Sequence, residues 1–87
     1  MSGVISAPEL TAWLVERVAT YTEKDPGAIG LDTPLADCGL DSVYALVICG
    51  DIEDHLGLAV EPTLVWDYPT VNALVEYLTG QLTPSGR

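Results

Sequence analysis

The sequence predicts an all-α domain, a small bundle of three main helices and one short helix. Three observations carry this. Apolar residues recur at three- and four-residue steps in three separate stretches, the period of a helix buried on one face. No stretch alternates apolar and polar residues at period two over a useful length, so strands are not indicated. Residues that start and stop helices bracket each periodic stretch: Ser6 with Glu9 at the first, Gly57 after the second, Pro69 with Thr70 before the last.

The first helix is expected from about Ala7 to Thr22. Ser6-Ala7-Pro8-Glu9 fits a capping box, with proline tolerated in the first turn. Leu10, Trp13, Leu14, Val18 and Tyr21 form its apolar face, and Glu16, Arg17 and Thr20 its solvent face. Glu23 to Asp41 is a long connection punctuated by Asp25-Pro26-Gly27, Gly30, Pro34 and Gly39, with a single turn around Pro26 to Ile29. Connections of this length in a small domain tend to serve function. Leu31, Leu35 and Leu40 are its expected apolar pins.

The second helix runs from Ser42 to Leu56, with Asp41 as N-cap and Gly57 as C-cap. It is apolar on two faces. Ala45, Ile48, Cys49, Ile52 and Leu56 make one; Val43, Leu46, Val47 and Gly50 make the other, continuing into Glu53 and Asp54. A surface helix needs one apolar stripe for the core, so the second stripe asks for another explanation. After a short extended link, Thr63 caps a helical turn from Leu64 to Asp67 that Pro69 stops. Thr70 caps a last helix with Val71, Leu74, Val75 and Leu78 on one face, ended by Gly80; Gln81 to Arg87 reads as a tail. The folded core is expected over about 6–80, with 1–5 and 81–87 as flexible ends of one domain.

Thirteen acidic residues against three basic ones give a formal net charge of −10. That charge argues against nucleic acid and anionic membrane as partners, and favours basic protein surfaces approached with electrostatic steering. Its plainer reading is solubility. No run reaches the roughly 20 apolar residues of a membrane helix, and Met1-Ser2-Gly3-Val4-Ile5 lacks the basic segment of a secretory signal. Two cysteines, Cys38 and Cys49, are too few for a disulfide scaffold or a four-ligand zinc site. They read as reduced thiols of a cytoplasmic monomer, Cys49 in the core and Cys38 in a loop.

Few residues qualify for chemistry. Ser42 as a catalytic nucleophile lacks partners: there is no Gly-x-Ser-x-Gly elbow, and His55, the sole histidine, lies ~20 Å along the same helix. His55 reads as a C-terminal helix residue interacting with the dipole. Asp32, Asp37 and Asp41 lack the alternation of a calcium loop and read as turn and cap residues, so no metal site is expected. Trp66 and Tyr68 read as core plugs. Ser42 by itself is an ordinary helix-start serine; its setting makes it a modification candidate. A pinned loop precedes it, an unexplained apolar stripe follows it, and the helix start tolerates a phosphate ester.

Gly39-Leu40-Asp41-Ser42-Val43, followed by Pro62-Thr63-Leu64-Val65-Trp66-Asp67-Tyr68-Pro69-Thr70, resembles the acyl carrier protein family. It is most similar to carrier domains of modular polyketide synthases, over roughly Leu10 to Leu78. A lone Asp-Ser carries no information; the two motifs at this separation are specific. The resemblance implies that Ser42 bears phosphopantetheine, attached from coenzyme A by a phosphopantetheinyl transferase, and that the arm's thiol holds acyl groups as thioesters. It implies a carrier without catalytic groups of its own. Its implied partners are an acyltransferase or acyl-activating enzyme and a ketosynthase or other polyketide pathway enzymes. These would dock on the second helix and the loop before it, at Leu40, Asp41, Val43, Leu46, Val47 and Gly50. Asp41 matches the residue before the modified serine and either positions the transferase or serves as a plain N-cap.

The chain departs from the resemblance at Val47, where relatives often have glutamate, and at Cys49, Gly50 and Asp51, where they often have polar or basic residues. The docking face is therefore expected to be unusually apolar. The Gly-Gly-His/Asp-Ser approach common in peptidyl carriers is absent, which favours polyketide over peptide cargo. The start methionine and short flanks read as a free-standing carrier. The alternatives are a peptidyl carrier and, from a different class, an unmodified acidic helical adaptor.

Overall fold

The computed structural model describes residues 6–82. Four α-helices follow in order: α1 (Ala7–Thr22), α2 (Ser42–Leu56), α3 (Leu64–Asp67) and α4 (Val71–Leu82), with 3-10 turns at Pro26–Ala28 and Leu35–Cys38 between α1 and α2. The described residues form no strand, and none of their helices is long and apolar enough to cross a membrane.

α1, α2 and α4 start where side chains satisfy the first backbone amides. Thr63, the expected cap of α3, makes no capping hydrogen bond, and its hydroxyl donates to Asp67 instead. The Ser6 hydroxyl accepts from the Glu9 amide at 3.3 Å, and the Glu9 carboxylate accepts from the Ser6 amide at 3.1 Å, closing the expected capping box. That backbone hydrogen bond holds the Glu9 carboxyl below the ordinary carboxylate range. The Thr70 hydroxyl accepts from the Ala73 amide at 3.1 Å and starts α4. Gly57, at φ 65°, ends α2 and donates to the Glu53 carbonyl at 2.8 Å. α1 ends differently, on a non-glycine residue in the left-handed region, Glu23 at φ 58°.

The core is wholly apolar. Leu10, Leu14 and Val18 from α1, Ala45, Ile48 and Ile52 from α2, and Val71, Leu74 and Leu78 from α4 meet in it, and no polar or charged residue among those described is buried with them. Burying one such leucine or isoleucine contributes about 1.5–3 kcal/mol, most of it offset by the entropy of ordering the chain. The long connection is tied down by Ile29, Leu35, Cys38 and Leu40, all buried. It is also bonded to the start of α4: Leu35 N–H donates to the Pro69 carbonyl (2.8 Å), Asn72 N–H to the Leu31 carbonyl (3.0 Å), and the Asn72 side-chain amide to Asp32 (2.8 Å).

Several expectations need correction. Leu31 pins the loop through its carbonyl, while its side chain is exposed. Cys38 lies in a 3-10 turn and is buried, because residues three apart eclipse there and Cys38 shares the inward face of Leu35. Trp66 is no plug. It is 48% exposed, since the single turn of α3 already commits Leu64 and Val65 inward and the next position rotates out. Tyr68 does pack, stacked on Tyr77 at 4.5 Å between ring centroids. Gly80 does not end α4; the helix continues to Leu82, because glycine permits a left-handed cap without imposing one. Gln81 and Leu82, expected in the tail, are helical, and the expected flexible ends at 1–5 and 83–87 lie outside the described residues.

Candidate functional site

The approach to α2 is built to hold one serine outward. Gly39 closes the 3-10 turn at φ 96°, a conformation that side chains disfavour, and its amide reaches the Ala36 carbonyl. Leu40 then turns into the core, its amide donating to the Leu35 carbonyl at 3.2 Å. Asp41 follows in extended conformation and its carboxylate accepts from the Tyr44 amide at 2.9 Å, which is the N-cap geometry. Ser42 is the first residue of the helix, exposed, and its hydroxyl takes part in no hydrogen bond among the described residues.

Two local fields meet at that hydroxyl. The helix start favours an anion by about 0.3–1 kcal/mol, while the Asp41 carboxylate opposes one. Asp41 already occupies the Tyr44 amide, so the first amides of α2 are only partly claimed. The site can accept a covalently attached anionic group on oxygen. Among the described residues, no cluster of three or more His, Cys, Asp or Glu side chains could hold a metal ion.

The two faces of α2 separate as expected. Ala45, Ile48, Cys49 and Ile52 are buried, with Leu56 half-buried, whereas Val43, Leu46 and Val47 are 64%, 56% and 39% exposed. Gly50 lies open on the same side. Leu40, named with these residues as a docking position, is buried, so its side chain faces the core and not a partner. His55 sits in the last turn of α2, far from Ser42, with its ring stacked on Trp13.

Sequence reasoning missed a third use of α2. Leu46, Cys49, Gly50 and Glu53 line an open groove with Val60 and Pro62 of the following link. Their spacing of three and four residues was visible, but the link that forms the opposite wall was not. Burial pushes the Cys49 thiol above its ordinary value, and the thiol donates toward the Glu61 carbonyl at 3.6 Å. Also unforeseen are the Tyr21–Tyr44 stack and the hydrogen bond from the Tyr21 hydroxyl to Asp51.

Residues 12–78, which include the loop, Ser42 and α2, match the family described as the phosphopantetheine attachment site. The chain belongs to this carrier-protein family. Phosphopantetheine is accordingly the carrier's cofactor, and an exposed, unengaged serine oxygen at a helix start suits it. The carrier is 38% identical over 79 residues to a phenolphthiocerol/phthiocerol polyketide synthase of Mycobacterium tuberculosis, covering 90% of this chain and 4% of that protein. It is 37% identical over 79 residues to erythronolide synthase EryA3 of Saccharopolyspora erythraea, covering 90% of this chain and 2% of that protein. The chain thus spans only a few per cent of the length of these curated relatives.

Solved structures agree on the fold. A free-standing peptidyl carrier protein from an Acinetobacter baumannii secondary metabolic pathway superimposes with a TM-score of 0.86 at 42% identity, covering 90% of this chain and 98% of that one. The acyl carrier protein LipD from Actinoplanes friuliensis gives 0.73 at 44% identity, covering 94% of each chain. The carrier is homologous to the acyl carrier segments of polyketide synthases and adopts the helical carrier fold.

Proposed function

We propose that Ser42 is the attachment point of the phosphopantetheine arm and that the carrier presents polyketide-type acyl thioesters to separate pathway enzymes. The arm supplies a flexible chain ending in a thiol, on which an acyl group is held as a thioester. The protein's own residues do the rest. Leu35 and Leu40 anchor the approach loop, Asp41 caps α2, and together they present the Ser42 oxygen to a phosphopantetheinyl transferase. The carrier itself adds no catalytic group, and its contribution is effective concentration at whichever active site it docks on.

The observation that carries this reading is the exposed, hydrogen-bond-free hydroxyl of Ser42 within the matched family region. Asp41, Val43, Leu46, Val47 and Gly50 form the docking face for the transferase, for an acyltransferase or acyl-activating enzyme, and for a ketosynthase or related enzyme. The chain's net charge of −10 supports basic partner surfaces.

Incubation with coenzyme A and a broad-specificity transferase, followed by intact mass measurement, tests the assignment. A gain of one arm in the parent chain and none in Ser42→Ala is the expected result. An equal gain in Ser42→Ala, or no gain with any transferase, overturns it and favours an unmodified adaptor. The similarity to a peptidyl carrier supports aminoacyl cargo as a second reading, which offering the loaded form to acyl- and aminoacyl-activating enzymes distinguishes.

A further inference from the structure

Gly50 stands in the interior of α2 with nothing in the fold that asks for glycine. Its φ is not positive, unlike that of Gly39 and Gly57, and a Cβ built on it would meet nothing within 4 Å. Glycine is unfavourable inside a helix, so the residue weakens α2 without relieving any contact. What its missing side chain leaves is space on the outside. That space is part of an open notch of about 190 Å³ lined by Leu46, Cys49, Gly50, Glu53, Val60 and Pro62. Its far wall is held in place, because the Glu53 carboxylate accepts from the Val60 amide at 3.1 Å and the Cys49 thiol donates toward the Glu61 carbonyl.

The surroundings specify what fits. Val43, Leu46 and Val47 extend the apolar surface beside the notch. Asp41 stands before this patch and Asp51, Glu53 and Asp54 after it, while α2 carries no lysine or arginine. An apolar floor between acidic ends matches an apolar projection set among positive charges. A second copy of this chain is the wrong occupant, since two chains of net charge −10 repel. The notch has room for one side chain and not for a packed helix.

We propose that the notch receives a single apolar side chain projecting from a positively charged helix or loop of a partner enzyme, and that Gly50 is the specificity-determining residue that admits it. This rests on the carrier reading and names the chemistry of the partner for the same face.

The test uses the full isotope-labelled chain, before and after loading. It is titrated with a lysine-flanked helical peptide bearing one central leucine, while backbone amide resonances are followed. Saturable shifts at Leu46, Gly50 and Val60 are expected, with affinity lost by about tenfold or more when the leucine becomes serine. Replacing the lysines by glutamate weakens binding similarly, as does Gly50→Leu in the protein. Gly50→Ala raises the thermal midpoint by favouring the helix. Absence of saturable shifts at the notch, or unchanged affinity in Gly50→Leu, overturns the proposal. So does a loaded arm that shifts the same amides and blocks the peptide, because the notch then houses the arm. Peptide binding at the notch in a chain that no transferase loads supports the notch and counts against Ser42 instead.

Discussion

The indole of Trp13 lies flat against the imidazole of His55, with ring centroids 4.2 Å apart and planes within 5° of parallel. The guanidinium carbon of Arg17, one helical turn further along α1, is 5.5 Å from the centre of the same indole. Further along the seam, Tyr21 stacks on Tyr44 with centroids 5.3 Å apart. Trp13 meets the end of α2 and Tyr21 its beginning, so the two helices run antiparallel and are fastened at both ends. Tyr44, Asp51 and His55 share one face of α2, which leaves Val43, Leu46, Val47 and Gly50 on another.

Trp13 and His55 are expected to be energetically coupled. A double-mutant cycle with Trp13→Leu and His55→Ala, measured by urea unfolding, should return a coupling of about 0.5–1.5 kcal/mol, the usual worth of a stacked aromatic pair beyond its buried area. A coupling near zero would make the rings neighbours without mutual stabilisation.

Stability should fall at high pH through Tyr21. The hydrogen bond to Asp51 raises the Tyr21 phenol above its ordinary value, with burial adding to the effect and Arg17 opposing it. A phenol raised by folding stabilises the protein fully below the unfolded value of about 10, and that contribution is lost as pH rises through the folded value. Tyr21→Phe should cost about 1 kcal/mol at neutral pH, discounted for partial exposure, and should flatten the decline of the urea midpoint above pH ~10.

Both thiols should be protected by the fold. Cys38 and Cys49 are unpaired cysteines, each 5% exposed and so shielded from reagents, and burial also raises the Cys49 thiol, which disfavours its thiolate. Alkylation by iodoacetamide at pH ~8, near the ordinary thiol range, should be slow in the native protein and accelerate sharply in urea. Rapid native labelling of Cys49 would contradict the buried placement.

Asp41 should separate capping from charge. Asp41→Asn keeps an acceptor for the Tyr44 amide and should unfold near the parent midpoint, whereas Asp41→Ala should cost about 1 kcal/mol. If the carboxylate also guides the transferase, Asp41→Asn will lower kcat/KM for arm transfer with stability unchanged. Equal transfer rates in Asp41→Asn and the parent chain would leave Asp41 as a cap alone.

Much of the architecture was legible in the residues. The limits of α1, α2 and α3 coincide with those read from Ser6-Ala7-Pro8-Glu9, Asp41 with Gly57, and Thr63 with Pro69. Helix starts are local chemistry, so local sequence reveals them. The second apolar stripe of α2 was legible for the same reason, as was an exposed serine at the helix start. Trp66 and Cys38 were misread because the outward or inward turn of a residue in a single-turn element depends on which neighbours the core has already claimed. The notch was invisible because its far wall, Val60 and Pro62, comes from a link whose path no periodicity describes.

By itself the sequence determined where helices begin and end, which stripes could be buried, and that an accessible hydroxyl stands at the start of α2, because capping and periodicity act between residues a few positions apart. Only the tertiary structure decided which apolar stripe of α2 the core would cover, which aromatic rings would stack across α1 and α2, and that the space at Gly50 would become a notch. Those outcomes depend on contacts between segments far apart in the chain, and burial is settled by what arrives from elsewhere to cover a face.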